Sequence, residues 1–123
     1  MDIGVVSNQS PRFRILKNQL PANSGGFINV KLVGGNDSAE PGSQFGPRDP
    51  IGTTLVATIG DQKREFRLSG GEGFSVQNAR SIHIGLGEHP AIERLEVRWP
   101  NGKTTVREQI TAGLTVEIFE GKN

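Results

Sequence analysis

The chain contains no cysteine, which excludes disulfide scaffolds, thiolate metal sites and cysteine nucleophiles. Only two histidines are present, so a zinc site built from several imidazoles is nearly excluded as well. No apolar run approaches the roughly 18 residues of a membrane span. The 14 basic and 13 acidic residues nearly balance, whereas a dedicated nucleic-acid-binding domain carries a basic face. We therefore expect no membrane span and no nucleic-acid partner.

Glycine and proline are abundant, with 17 and 7 residues in a chain of 123. Both residues are poor in helix interiors, so this composition excludes a helix-rich domain. The glycines follow no three-residue period, which excludes a collagen-like chain. The length is that of one domain. Many short strands joined by tight turns are the structure that this composition favours.

Alternation of apolar and polar residues is the main structural signal, and its period of two predicts strands. The alternating sets are Phe13 and Ile15; Ile28, Val30 and Leu32; Leu55, Ala57 and Ile59; Phe66 and Leu68; Ile82, Ile84 and Leu86; Leu95, Val97 and Trp99; and Leu114, Val116 and Ile118. The stretch from Val106 to Ile110 is predicted to form one helical turn at most. These patterns predict an all-β fold, an antiparallel β-sandwich or partly closed barrel of about seven to nine short strands.

Turn residues separate the predicted strands. Asn101-Gly102, after Pro100, predicts a hairpin with a primed turn, because both residues tolerate a positive φ. Gly60-Asp61 and Thr111-Ala112-Gly113 predict two further turns. Together these positions define the connections around the predicted strands.

Residues 34–50 form the one long loop of the chain, and loops of this length are often functional. Asp37, Glu40 and Asp49 supply oxygen atoms of the kind that calcium prefers, which makes them calcium candidates. Their spacing fits no EF-hand, and a solvated polar loop is the simpler interpretation. We expect no other cofactor.

Four motifs occur in an order that resembles a known family. They are Arg48-Asp49-Pro50-Ile51-Gly52, the glycine block at 70–78, His83-Ile84-Gly85-Leu86-Gly87, and the block Leu95-Glu96-Val97-Arg98-Trp99-Pro100-Asn101-Gly102. This series is similar to the ASPIC/UnbV domain, named partly for the cartilage acidic proteins. The last block is the most specific. The resemblance covers roughly Phe27 to Phe119.

The resemblance implies a setting for the chain. Such domains usually follow a β-propeller of FG-GAP repeats in secreted or cell-surface proteins. Residues 1–20 look like the end of such a repeat, so the implied organisation is a propeller remnant or linker at 1–20 and the ASPIC/UnbV-like β domain at 27–120. Met1 is then not the natural start, and the implied location is extracellular, periplasmic or on the cell surface. An unpaired edge in residues 1–20 makes either a monomer or an edge-paired dimer the expected state.

The sequence also departs from the family pattern. Pro50 replaces the usual small residue, and Thr53-Thr54 replaces the usual Ala-Arg. Phe74 stands where the family has tyrosine, and Val76 where it has serine. Roles for that phenol and that hydroxyl therefore do not carry over.

The polar residues of the motifs have two interpretations. Arg48, Asp49, Gln77, Asn78 and His83 are binding candidates, or they form a structural lock in which Asp49 accepts backbone N–H bonds at the glycine corner. A third arrangement, a triad of Ser75, His83 and Asp49, lacks an apparent oxyanion loop. The glycines of the corner lack the following helix and Lys-Ser/Thr of a phosphate loop. We expect no catalytic residue.

Arg98 and Trp99 end the most specific motif. Trp99 shares a face with Leu95 and Val97, which favours a core position; a partly open face would instead let the indole stack on a sugar ring. Arg98 lies on the opposite face, where we expect an acidic cross-strand partner.

The resemblance implies a non-enzymatic extracellular binding or structural module, attached to a propeller in an adhesion-like protein. Its ligand is a protein or a glycan. The alternative is an accessory domain of a secreted enzyme, possibly carbohydrate-binding, whose chemistry lies in another part of the parent protein.

Overall fold

The computed structural model describes residues 2–19, 21, 25–36, 43–71 and 79–121, and these form an all-β fold. The strands are β1 (Ile3–Val6), β2 (Phe13–Leu16), β3 (Gly26–Val33), β4 (Thr54–Ile59), β5 (Gln62–Arg67), β6 (Ser81–Gly87), β7 (Ala91–Arg98), β8 (Thr104–Thr111) and β9 (Thr115–Phe119). None of the described segments is a helix long and apolar enough to cross a membrane.

Two open sheets form a β-sandwich, and β1 and β2 form a separate hairpin. The four-stranded sheet has the order β5-β4-β7-β8, with every neighbouring pair antiparallel. The three-stranded sheet has the order β6-β3-β9, in which β3 runs antiparallel to β6 and parallel to β9. The predicted all-β sandwich is confirmed, and the barrel alternative is not adopted because the sheets remain open.

The core lies between the two sheets and contains the alternating residues that predicted the strands. Its members are Ile28, Val30, Leu32, Leu55, Ala57, Ile59, Leu68, Ile82, Ile84, Leu86, Ile92, Leu95, Val97, Trp99, Ile110 and Ile118. Full burial of one such aliphatic side chain stabilises the fold by about 1.5–3 kcal/mol. Since side chains on a strand alternate between faces, the same register turns Asn29, His83, Glu96 and Arg98 away from the core.

The turns at Gly60 and Gly102 lie where the sequence predicted them, and the structure gives their type. Gly60 has a φ of 56° while Asp61 has no positive φ, which is the pattern of a type II′ hairpin turn. In the β7–β8 hairpin, Gly102 has a φ of 84° and its N–H donates to the Trp99 carbonyl at 2.9 Å. Asn101 has no positive φ, so the primed turn predicted there was wrong. A type I turn followed by a glycine bulge fits these contacts.

The strand β8 corrects another expectation, because Val106 to Ile110 extend the sheet instead of forming a helical turn. The alternation breaks here in both partners. Ile92 and Leu95 are both buried on β7, and Thr105 and Ile110 are both buried on β8. Between the last two, Gln109 has a φ of 52°. The left-handed conformation of Gln109 changes which residues of the strand face the core. The alternation of apolar and polar residues is therefore interrupted in the sequence at this position.

The hairpin of β1 and β2 exposes its apolar residues. Ile3, Val6, Phe13, Ile15 and Leu16 are each 56–80% exposed. The register pairs Ile3 with Leu16 and Val6 with Phe13. A two-stranded sheet is marginally stable in water by itself, and none of the described residues covers this apolar surface.

Candidate functional site

The described parts of the long loop are held by a buried carboxylate, Glu120, which directly follows β9. Its side chain is 3% exposed. Oε2 accepts N–H bonds from Gly35 at 3.0 Å and from Gly46 at 2.8 Å, and Oε1 accepts a bond from Asn101 Nδ2 at 2.5 Å. Three donors therefore compensate the cost of burying this charge. The sequence analysis placed a structural lock at Asp49 and the glycine corner and gave Glu120 no role.

The β7–β8 turn adds a second set of contacts to the same loop. Lys103 Nζ donates to the Gln44 carbonyl at 2.5 Å and lies 4.5 Å from the centre of the Phe45 ring. The Phe45 ring also leaves no room for a side chain at Gly121, because a Cβ there would lie 2.5 Å from the ring. Gly121 has a φ of 75°, which also favours glycine. The described loop residues are thus packed against the end of the sandwich.

Arg48 and Asp49 precede a tight turn into β4. The Arg48 carbonyl accepts the Gly34 N–H at 2.9 Å, and Asp49 forms an ion pair with Arg80 in which both side chains are about half exposed. Arg80 follows the glycine block, so Asp49 contacts the chain beyond that block. Gln77 and Asn78 lie outside the described residues, and the proposed contact of Asp49 with the corner backbone stays a prediction.

One departure from the family pattern has a structural role. Thr53 is fully buried, and its Oγ1 donates to the Pro50 carbonyl at 2.6 Å. The Thr53 N–H donates to the same carbonyl at 3.1 Å, and Pro50 is also buried. The hydroxyl that replaces an alanine methyl here is therefore satisfied inside the turn.

His83 lies in the middle of β6 and faces outward from the three-stranded sheet. Its Nδ1 lies 2.8 Å from Asn29 Oδ1 on β3. Its ring stacks on Phe27, with ring centres 4.8 Å apart and an interplanar angle of 25°. The sequence analysis singled out His83 but missed Phe27 and Asn29, because only the β3–β6 register places them beside it.

The structure assigns Trp99 to the core. The residue is 3% exposed, and its Nε1 donates to Thr105 Oγ1 at 2.9 Å. The expected core position is confirmed, and the sugar-stacking alternative for Trp99 is wrong because the ring is covered.

Arg98 pairs with an acidic residue of its own strand, which corrects the cross-strand partner that we expected. Its Nε donates to Glu96 Oε1 at 2.8 Å. This hydrogen bond, with the charges of Arg98, Arg94 and Lys63, lowers the pKa of the Glu96 carboxyl and outweighs its desolvation. The same bond raises the pKa of Arg98. The Arg98 side chain is exposed and that of Glu96 is partly exposed, so solvent screens the pair and it adds little to stability.

The structure describes only one of the three calcium candidates. Asp49 pairs with Arg80, while Asp37 and Glu40 lie outside the described residues. Within the described part of the chain, no group of three histidine or acidic side chains is arranged to hold a metal ion. Calcium binding by the long loop stays a prediction.

The sandwich thus has the hydrogen bonds of Glu120 to the loop at one end and the stacked rings of Phe27 and His83 on one outer face. Residues 43–123, two thirds of the chain, match the family described as ASPIC and UnbV. The chain belongs to this family. No curated protein and no solved structure matches the chain.

The ASPIC and UnbV domain is known as a C-terminal domain of proteins that contain FG-GAP repeats. The matched segment begins after β3, yet β3 is the central strand of the three-stranded sheet. The sandwich therefore needs residues that precede the match, and Phe27 and Asn29 are among them. His83, Glu120 and Trp99 lie inside the matched segment.

Proposed function

We propose that this ASPIC and UnbV domain is a non-enzymatic binding or structural module attached to a β-propeller of FG-GAP repeats in an adhesion-like protein of the cell exterior. The family's place in FG-GAP-containing proteins supports the setting. The observation that carries the attachment is the exposed hairpin of β1 and β2. Because its apolar side chains are exposed, we expect another part of the parent protein to cover it.

The hairpin is apolar on both of its faces. Residues that pair across antiparallel strands share a face, and successive pairs alternate. Ile3, Leu16 and Val5 therefore lie on one face with Arg14, and Ile15, Val6 and Phe13 lie on the other with Gly4. A sheet that lies on the surface of a core is apolar on one face only. This hairpin is built to be covered on both.

A propeller supplies that kind of cover, because each blade packs its faces against the two neighbouring blades. Among the described residues, β1 and β2 pair only with each other, so each leaves one edge that a further strand of a blade would pair. A second copy of the chain could pair one edge but would cover the two faces less completely. The propeller is therefore the occupant that we propose.

Hydrogen exchange tests this attachment. The experiment compares the isolated chain with the parent protein that contains the upstream sequence. The amides of Ile3–Val6 and Phe13–Leu16 should exchange quickly in the isolated chain and slowly in the parent, because only the parent covers the hairpin. The amides of β4 (Thr54–Ile59) are the internal control and should be protected in both.

Equal exchange of the hairpin amides in both proteins would contradict the attachment. Protection in the isolated chain that grows with protein concentration would assign the hairpin to a dimer instead. The upstream reading frame gives an independent check, since FG-GAP repeats and a signal peptide are expected there. A catalytic domain in that position would favour the alternative, an accessory domain of a secreted enzyme.

A further inference from the structure

We propose that the outer face of the three-stranded sheet binds a neutral polysaccharide, with Phe27 as its aromatic platform. This inference rests on the proposed function only in treating the domain as a binding module. We call the surface the Phe27–His83 face and define it by Phe27, Asn29, His83, Gly85 and Thr115. In the register of the sheet, Phe27 lies opposite Gly85, and Asn29 lies between His83 and Thr115.

Phe27 provides an apolar plate on this face. The residue is 42% exposed although the imidazole of His83 stacks against it at 4.8 Å. Its cross-strand partner Gly85 has no side chain, and a Cβ added there would meet nothing within 4 Å. The surface beside the ring is therefore an open shelf. A pyranose ring, whose C–H groups form one apolar face, can lie flat on such a plate.

Hydrogen-bonding groups lie one step along the strands from the ring. An amide oxygen only accepts, so His83 Nδ1 donates to Asn29 Oδ1 across their 2.8 Å contact. In a neutral imidazole this bond leaves Nε2 as the acceptor, and it orients the Asn29 amide with Nδ2 as its donor. Rows on one face of a strand are about 6.4–6.8 Å apart, so the row of Asn29 and His83 lies beside the ring of Phe27. A sugar stacked on Phe27 therefore places its hydroxyl groups near an acceptor and a donor.

The charge of this surface selects among ligand classes. Lys31 and Glu117, in the next row, neutralise each other through an ion pair of 2.6 Å. Arg64 reaches the edge of this face, where its Nη1 donates to the Gly85 carbonyl at 3.1 Å and its Nη2 donates to Gln62 Oε1. Nucleic acids and acidic polysaccharides are bound by several cations that face the ligand, whereas, of the described residues, a single arginine lies at this edge. Protein interfaces are anchored by a larger apolar centre than a single aromatic plate. An uncharged polyhydroxylated chain fits the remaining combination of one ring and several neutral polar groups.

The shape of the surface favours a polymer over a small molecule. The Phe27–His83 face is the flat side of a sheet, whereas small molecules are held in concave pockets. The opposite outer face, on the four-stranded sheet, is densely charged and includes Lys63, Arg94 and Glu108. The two faces of the sandwich thus differ in chemistry, and only the first offers an exposed aromatic ring.

Affinity electrophoresis of the whole chain tests the proposal. The native gels contain hydroxyethyl cellulose or galactomannan as neutral probes, and alginate or heparin as acidic ones. The wild-type chain should be retarded by at least one neutral polysaccharide. Phe27→Ala should weaken that association roughly tenfold, the size of one lost aromatic contact. Ile51→Ala, which removes an apolar residue of similar exposure elsewhere, should leave it unchanged.

A second variant guards against loss of folding in the first. Gly85→Gln keeps Phe27 and places a side chain on the open shelf, where the backbone has room for it. It should abolish retardation while the melting temperature stays close to that of the wild type. His83→Ala and Asn29→Ala should each weaken retardation by a smaller factor.

Three outcomes would overturn the proposal: no retardation by either neutral polysaccharide, retardation by acidic ones alone, or retardation that Phe27→Ala and Gly85→Gln both leave intact. The hairpin exchange experiment is independent of these gels. If the gels show no binding but the hairpin is protected in the parent protein, the polysaccharide proposal is wrong and the propeller attachment stands.

Discussion

Asn101 and Glu120 join the β7–β8 turn to the end of β9 through a 2.5 Å hydrogen bond between the amide Nδ2 and the carboxylate Oε1. Asn101 belongs to the motif that identifies the family, and Glu120 follows the last strand. The other carboxylate oxygen holds the backbone of Gly35 and Gly46. The Asn-Gly turn therefore has a role beyond reversing the chain, because its asparagine completes the shell of a buried charge.

Glu120→Ala should destabilise the domain by about 1.5–3 kcal/mol, since it leaves three donors without their charged acceptor. Urea denaturation measures the change in the free energy of unfolding. Glu117→Ala is the matched control, because Glu117 is a nearby carboxylate on β9 in an exposed ion pair with Lys31. It should cost under about 1 kcal/mol. Equal effects of the two substitutions would contradict the assignment of Glu120 as the lock.

Thr105→Val should cost about 1–3 kcal/mol, because it removes the only acceptor that the structure gives the buried Trp99 Nε1 among the described residues. The side-chain shape is nearly kept, so lost packing contributes little. Thermal unfolding followed by fluorescence reports the change directly, since Trp99 is the single tryptophan of the chain. Thr104→Val, on the exposed face of the same strand, should be nearly neutral. A neutral Thr105→Val would mean that the indole does not depend on this bond.

Gln109→Gly should leave the domain as stable as the wild type or raise its stability by up to about 1 kcal/mol. Gln109 has a φ of 52°, a conformation that costs an L-residue about 1–2 kcal/mol and glycine almost nothing. Gln109→Val should be clearly destabilising at the same position, because a branched side chain resists this conformation more strongly. Chemical denaturation of the three proteins checks the order. If Gln109→Val were more stable than Gln109→Gly, β8 would not require a residue with positive φ at this position.

The Glu96 carboxyl should titrate below its ordinary value of about 4.5, because the Arg98 hydrogen bond favours its charged form. A lowered pKa in the folded state means that the stabilising contribution is present above the ordinary value and is lost as the pH falls through the lowered one. Carbon-detected NMR titration follows the side chain directly. Arg98→Ala should move the pKa back upward, and added salt should do so partly. An unchanged titration in Arg98→Ala would exclude that bond as the cause.

The strands could be predicted because each buries one face in the same core. Leu55, Ala57 and Ile59 alternate without interruption, and the register leaves no choice of which side faces inward. Where that condition fails, the prediction failed too. Around Gln109 the apolar spacing changes within the strand, so the sequence pattern suggested a helical turn in place of β8.

The polar contacts were less accessible to sequence reasoning. Asp49 and Glu120 are both carboxylates within three residues of a glycine, and this local pattern does not distinguish the exposed one from the buried one. Glu120 is buried because the described loop residues pack over it, through contacts 74 and 85 positions away along the chain. Phe27 becomes an exposed platform for a similar reason, since its neighbours Gly85 and His83 come from a distant strand.

The sequence by itself determined the all-β class, the faces of most strands, the positions of the turns and the family. These properties follow from local periodicity, backbone preferences and short motifs. Only the tertiary structure decided which acid is buried, which aromatic ring is covered and which is exposed. Burial and hydrogen bonding of a side chain depend on residues brought together by strand pairing, and the pairing of β3 with β6 and β9 is not encoded in any one segment.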